Sequence, residues 1–354
     1  DTVYTHHKKS VISDPHHSLA DLNEFADGWF VPAMPDLNQK NPLLASYLIQ
    51  NTIWWIEYSG IDGIRLDTHP YSDKDFVSEW AKAIHQEYPD FQIVGECWLD
   101  YPSILAYWQE NPENPDGYHS NIQTITDFPL NMATGKAFNQ EDGWNTGLAN
   151  IYYTLSRDFL YHRPEDLMIF LDNHDQTRYF DVVQNDISKH KMGLAFLLTT
   201  RGIPQIYYGT EILLTGKKEE GDGVIRKDFP GGWPGDDINA FEAKGLTDKQ
   251  MDVLRYVRTL LLWRKNKEVI HHGKLMHYIP KNHVYVTFRY NEKDAVMIIL
   301  NNHPAESRII QLDRFKERLK GYTAATKIIT RERINLGHQL EIKPKSALIL
   351  DLER

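Results

Sequence analysis

Residues 60–71, GIDGIRLDTHPY, place an arginine and an aspartate two positions apart inside an otherwise apolar run. Ile61, Ile64 and Leu66, opened by Gly60 and Gly63 and closed by Pro70, predict a short buried strand over 61–67. Side chains alternate along a strand, so Arg65 and Asp67 share one face. A charged pair on an inward face is costly to bury. The pair therefore calls for a chemical reason.

The same apolar character recurs outward from this segment. FQIVGECW (91–98), ITDFPL (125–130), LMIFLDNHD (167–175) and GIPQIYYG (202–209) read as further strands. Between them lie helical patterns. Residues 43–58 carry apolar side chains at near-helical spacing, and DKDFVSEWAKAIHQEYP (73–89) has Phe76, Trp80 and Ile84 on one stripe, with Pro89 just past its end. Residues 146–161 and 189–201 are also expected to be helical, and Thr247 with Gln250 forms a capping-box pattern before a long amphipathic run. Strand alternating with helix predicts parallel βα units. In four of the five strands, polar residues cluster at the C-terminal end, where a (β/α)8 TIM barrel keeps its active site. The pattern changes after about residue 270. HVYVTFRYN, DAVMIILNN and HQLEIKPKSALILDL predict a C-terminal antiparallel β-sandwich domain over 270–354. Residues 1–42 read as loop-rich, leaving 43–269 for the barrel part.

The 354 residues are 41% hydrophobic and 25% charged, an ordinary globular balance. A formal charge of -10 argues against nucleic acid or an anionic membrane as the partner, because both attract basic surfaces. No apolar stretch approaches the length of a membrane span. Cys97 is the one cysteine, which excludes an internal disulfide. Asp1 opens in polar sequence without a signal-peptide pattern, so targeting information is expected to lie outside these residues.

Asp67, Glu96 and Asp175 stand at or near the ends of three predicted strands. Asp67 and Glu96 are 29 positions apart, about one βα unit, and Asp175 lies 79 further on. A barrel brings such residues to one rim, and two carboxyl groups about 5–5.5 Å apart serve a retaining glycosidase. The two roles need different pKa values. Arg65 beside Asp67 favours an ionised nucleophile, whereas Glu96, between the apolar FQIVG and Cys97–Trp98, has the drier setting of an acid. Each motif alone is equally compatible with a structural ion pair at a strand end. The ordered set is what points to chemistry.

GIDGIRLD, VGECW and FLDNHD, in this order and spacing, resemble three signature segments of the α-amylase family of glycoside hydrolases. MPDLN (34–38) resembles a further motif near the end of the domain inserted after barrel strand three. GIPQIYYGTE (202–211) resembles the eighth-strand segment, and DFPGGWPGD (228–236) a loop of neopullulanase-like members. The resemblance implies Asp67 as nucleophile, Glu96 as general acid/base and Asp175 as the residue that grips sugar hydroxyls in the transition state. It implies Arg65 as the group orienting the nucleophile, His174 as a sugar contact in the cleavage subsite, and Arg178 in a supporting role.

The family's first signature, ending in Asn-His, has no counterpart here. The resemblance thus implies a chain that begins inside the inserted domain and holds strands four to eight. THPY stands where the family often carries a Lys-His pair, which places Tyr71 at an acceptor-sugar position and weakens the case for calcium; no cofactor is required. The implied activity is retaining cleavage of α-1,4 bonds, with α-1,6 cleavage left open, in malto-oligosaccharides, cyclodextrins or pullulan, of the neopullulanase or cyclomaltodextrinase type. An α-glucan transglycosylase and a non-catalytic glucan-binding relative are the alternatives. Likeness to starch-utilisation enzymes of Bacteroides-type bacteria implies a periplasmic home, with the cytoplasm as alternative. Relatives of this type dimerise through an N-terminal β domain, so a homodimer is a further expectation.

The histidine pairs His6–His7, His16–His17 and His271–His272 lack metal-site spacing and read as loop or surface residues. His69 and His119 read as core or rim. Trp54, Trp55 and Trp80 sit on helical stripes and are expected in the core, whereas Trp98, two residues after Glu96, is expected to line the cleft. The charged segment 217–228 reads as a solvated loop that follows strand eight and has the reach to approach the site.

Overall fold

The computed structural model describes residues 11–31 and 33–354. His6 and His7 lie outside the described residues. The chain divides into two compact units, 1–129 with 157–168, and 130–156 with 169–354.

The first unit is built on a parallel sheet. Helix α1 (Leu19–Asp27) starts where the Ser18 hydroxyl accepts the Asp21 N–H, so the segment read as loop-rich contains a helix. Helix α2 (Pro42–Ser59) has Asn41 as its cap and Pro42 in its first turn, and it ends at Gly60, whose φ of 64° closes a bond from its N–H to the Ile56 carbonyl. Strand β1 (Gly63–Leu66), α3 (Lys74–Glu87), β2 (Gln92–Gly95), α4 (Pro102–Leu105) and β3 (Thr124–Ile125) follow. Asp73 caps α3, which buries Trp80 and Ile84 as expected together with Val77 and Ala81, while Phe76 of the expected stripe is only partly buried.

The sheet order is β1-β2-β3, parallel throughout, with Gly63 beside Gln92 and Leu66 beside Gly95. Thr126 continues it through a parallel bridge to Met168. The core under the sheet gathers Ile56, Trp80, Ile84, Phe91, Ile93, Ile125 and Leu167.

Three expectations are corrected here. The 61–67 strand is not buried: β1 alternates between exposed and half-buried because it is the edge of its sheet. ITDFPL is a strand only over Thr124–Ile125, and α5 (Phe128–Asn139) begins at Phe128, with Pro129 in its first turn. Trp54 and Trp55 are 51% and 49% exposed, since Ile56 is the residue that α2 buries. Trp54 stacks instead on Tyr58, 4.9 Å between ring centres.

The second unit continues from α5 into α6 (Ala149–Leu155), and later takes in β4 (Met168–Phe170) from Ile169 onward. Then come α7 (Tyr179–Val182), α8 (Ile187–Thr199), β5 (Ile203–Gln205) and α9 (Asp222–Ile225). Strands β4 and β5 pair with each other. Asp186 caps α8 through the Ser188 and Lys189 N–H groups. Apolar on nearly every side, α8 is buried from Met192 to Thr199, as such a helix must be. Helix α10 (Asp248–Lys265) carries the full capping box read from Thr247 and Gln250, and α11 (Glu268–His272) follows.

Strands β6 (Lys274–His277), β7 (Val284–Tyr290), β8 (Ala295–Asn301), β9 (Arg308–Gln311), β10 (Ala324–Lys327), β11 (Arg333–Asn335), β12 (Gln339–Ile342) and β13 (Ser346–Glu353) complete the chain, with the short α12 (Lys316–Leu319) after β9. The main sheet is antiparallel, in the order β11-β10-β13-β8-β7-β6, and β9 pairs with β12. Strict alternation gives its central strands two apolar faces. Val296, Ile298 and Leu300 join the core formed by α8 and α10, whereas Met297, Ile299, Val286 and Phe288 pack with Phe315 and Ile342.

Candidate active site

Asp67 is the first residue after β1 and Glu96 the first after β2. Because these strands pair in parallel with Leu66 beside Gly95, both carboxylates emerge at the same sheet end. The ladder extends one step further, with the Glu96 N–H donating to the Leu66 carbonyl at 2.8 Å and the His69 N–H to the Glu96 carbonyl at 3.0 Å. Thr68, at φ 46°, turns the chain in a left-handed conformation that an L-residue adopts at some cost. That turn aims its N–H at Glu96 Oε2, 3.0 Å away.

Arg65 joins the two acids. Its Nη1 donates to Asp67 Oδ1 at 2.8 Å and its Nη2 lies 2.6 Å from Glu96 Oε1. The expected inward pair of Arg65 and Asp67 is not realised, because their side chains, at the edge of the sheet, are 36% and 59% exposed; Glu96, at 8%, is the buried partner. Burial raises the Glu96 carboxyl above its ordinary value. The Thr68 N–H and the Arg65 charge oppose that rise, and neighbouring Asp67 adds to it. Tyr71, half-buried against Phe30 with ring centres 4.8 Å apart, has its phenol raised by burial and then by the Glu96 charge.

Two further residues shape this corner. The Cys97 thiol is buried, and burial pushes it well up, so it acts as packing. His69 is wholly buried, edge-on to Trp108 at 5.5 Å, and burial lowers its imidazole to about 3. A Cβ on Gly95 would overlap the His69 ring, so only glycine fits beside it. Trp98 lies with one face on Phe128, 4.6 Å apart and 13° from parallel, and remains 46% exposed.

The second unit holds Asp175, five residues past β4 in a turn where its N–H donates to Asn173 Oδ1 at 2.9 Å. His174 Nε2 lies 2.9 Å from Asp175 Oδ2, and Arg226 Nη2 donates to Oδ1 at 2.7 Å. Arg226 also bonds the His174 carbonyl through Nε and pairs with Asp222, itself paired with Lys218. The 217–228 segment therefore reaches Asp175. Its position after the last parallel strand was the only sequence signal for this, and Arg226 itself carried none.

Arg178 is almost entirely buried, its guanidinium 3.9 Å from the centre of the Tyr207 ring, with Nη1 donating to the Tyr208 carbonyl at 2.5 Å. That burial fits support of the turn, not direct contact with a ligand. Asp172 was missed in the sequence. It is buried, accepts from the Tyr179 N–H and the Thr210 hydroxyl, and is raised to about 6 by burial. Among the described residues, no three of His, Cys, Asp and Glu stand together as a metal site, and no helix is long and apolar enough to cross a membrane.

Residues 20–297 match the α-amylase catalytic domain, and residues 275–351 match the cyclo-malto-dextrinase C-terminal domain. A cyclomaltodextrinase of Geobacillus thermopakistaniensis (strain MAS1) is 28% identical over 281 residues, covering 78% of this chain and 43% of the relative. An intracellular maltogenic amylase of Bacillus subtilis (strain 168) is 28% identical over 241 residues, 68% of this chain and 36% of the relative. The chain thus spans less than half the length of these curated relatives. The crystal structure of an α-amylase from Geobacillus thermoleovorans complexed with acarbose superposes with a TM-score of 0.78 at 26% identity, over 99% of this chain and 72% of that one. At the coarser level these likenesses give the fold as a TIM barrel followed by an antiparallel C-terminal domain. With a catalytic-domain match over more than half its length, this chain belongs to the α-amylase family.

Proposed function

We propose that the protein is a retaining α-glucan hydrolase, with Asp67 as nucleophile and Glu96 as general acid/base. The observation that carries this is the Arg65 bridge between an exposed carboxylate and a buried one, on neighbouring parallel strand ends. Glu96, its pKa raised by burial, protonates the glycosidic oxygen as Asp67 attacks the anomeric carbon, and a glycosyl ester forms as the sugar leaving group departs. Glu96 then takes a proton from water, which attacks the same carbon and frees Asp67. Asp175, held by His174 and Arg226, grips sugar hydroxyls as charge develops on the ring.

Strands β1 to β5 correspond in this reading to barrel strands four to eight. The edge position of β1 and the exposed Trp54–Tyr58 stripe of α2 support it, since barrel strands one to three would cover those faces. The substrates are malto-oligosaccharides, cyclodextrins or pullulan, by likeness to relatives named for maltodextrin chemistry. Transglycosylation is the second reading, favoured by a cyclomaltodextrin glucanotransferase of Bacillus licheniformis that is 26% identical over 290 residues, 81% of this chain and 36% of the relative.

The test is sugar release from maltoheptaose, β-cyclodextrin and pullulan by the full-length protein, with Asp67→Asn beside it. Loss of activity by about a thousandfold or more in the variant is expected. Full activity in Asp67→Asn would overturn the assignment, and products enlarged by added glucose would move the reading to transfer.

A further inference from the structure

Within the second unit, a groove of about 480 Å³ runs between the loop joining α5 to α6 and the turn joining β6 to β7. Its walls include Trp144, Tyr152, Tyr153 and Ile279, and its polar rim includes Thr146 and Asn282. None of these residues belongs to the site described above. The volume lies within the roughly 300–1,000 Å³ typical of small-ligand sites.

The exposure of Trp144 is the first anomaly. It is 92% exposed, although an indole is among the costliest side chains to leave in water. The loop that displays it is firmly held. Asp142 Oδ1 accepts the Leu148 N–H at 2.7 Å, the Thr146 hydroxyl donates to the Glu141 carbonyl at 2.8 Å, and the Gly143 N–H reaches the Thr146 carbonyl at 3.3 Å. Gly147 has φ 63°, and a Cβ there would overlap Asp142. A loop so constrained presents its tryptophan in a fixed place.

The opposite wall is strained. Asn282 and His283 have φ of 52° and 65°, the pair of left-handed residues that a two-residue turn between antiparallel strands requires. Glycine normally takes the second position. Histidine there gives up backbone comfort for a contact: its Nδ1 lies 2.9 Å from Asp142 Oδ2, tying the turn to the Trp144 loop. Tyr152 is braced from behind by His277, stacked at 4.6 Å.

We propose that this groove is a non-catalytic binding site for an α-glucan chain. The apolar C–H faces of pyranose rings pack on indole and phenol faces, while the rim offers hydroxyl and amide partners to the sugar edges. The lining carries one acid, Asp142, and one lysine, Lys281, and the chain's charge of -10 repels polyanions, so a neutral polyhydroxyl ligand fits the groove. The identity of the sugar rests on the proposed α-glucan activity; the existence of the site does not.

The experiment is native electrophoresis of the full-length protein through gels containing soluble starch, comparing wild type with Trp144→Ala, Trp144→Phe and Trp144→Ala/Tyr153→Ala. Maltotriose turnover is measured alongside. Trp144→Ala is expected to weaken retardation by about tenfold, as a lost ring stack of about 1.4 kcal/mol implies. Trp144→Phe should recover part of it, and maltotriose turnover should stay within about twofold, since Trp144 contributes nothing to the fold's core. Equal retardation of wild type and both alanine variants, or no retardation of the wild type, overturns the site whatever the hydrolysis assay gives. Retardation that depends on Trp144 in a protein without hydrolytic activity would keep the site and remove the activity reading.

Discussion

Arg65 Nη2 lies 2.6 Å from Glu96 Oε1, a half-exposed cation set against a buried carboxylate. Its charge holds down a pKa that burial pushes up. In Arg65→Met that restraint is gone, so the Glu96 carboxyl moves higher still. The alkaline limb of the kcat/KM pH profile, which reports deprotonation of the acid, should shift to higher pH. Asp67 also loses its partner, and the maximal rate should fall by about 10- to 100-fold. An unmoved limb would show that Arg65 does not set the titration of Glu96.

Gly95 faces the His69 ring with no room for a methyl group. Gly95→Ala should cost about 1–3 kcal/mol, seen as a lowered Tm, and should displace Glu96, the next residue. Adding His69→Ala opens that space. The double variant should be more stable than the sum of the two single effects, a coupling of about 1 kcal/mol or more. Strict additivity would mean that the two side chains do not meet.

His69 and His190 are lowered by burial to about 3 and about 4, respectively. Both stay neutral in the folded chain, whereas the unfolded chain protonates them near pH 6.5. Below that pH the unfolded state binds more protons, so stability declines as pH falls from 6.5 towards 4. The decline should be about 1.4 kcal/mol per unit for each histidine. The Tm measured at pH 7 and pH 5 checks the sign, and the drop should be smaller in His69→Ala.

Arg226 and His174 hold the two oxygens of Asp175. Arg226 is well exposed, so Arg226→Ala should leave the Tm almost unchanged. Loss of the clamp lets Asp175 rotate and should lower kcat/KM by about 10- to 100-fold, with Arg226→Lys intermediate because a point charge replaces a planar fork. Unaltered kinetics in Arg226→Ala would make this pair a surface contact only.

Thr247 and Gln250 close the capping box of α10, which packs against α8. Thr247→Ala should cost about 1 kcal/mol. In a chain of this size that is a Tm shift of about 2 °C, readable by calorimetry.

Some of these features were legible because the information is local. The capping box lies within four residues, and Trp80 and Ile84 of the predicted α3 stripe repeat with the helix, so both follow directly from the sequence. Parallel pairing followed from strand alternating with helix, and it placed Asp67 and Glu96 side by side. What could not be read depends on neighbours distant in sequence. Trp54 and Trp55 sit on an apolar pattern, but exposure is decided by what packs against α2. The reach of Arg226 to Asp175 spans 51 residues. The overlap between Gly95 and His69 depends on a turn at Thr68 that no propensity specifies.

The order of the antiparallel sheet bears on how the protein is made. Strand β13 lies between β8 and β10, in the middle of the sheet, although its residues are the last of the thirteen strands to be synthesised. While a ribosome is still translating residues 302–345, β6, β7 and β8 can pair, yet β8 presents a bare, apolar edge with nothing to close it. The sheet is therefore completed only after translation of residues 346–353, and a nascent chain paused just short of them exposes a surface that chaperones or other chains will find first.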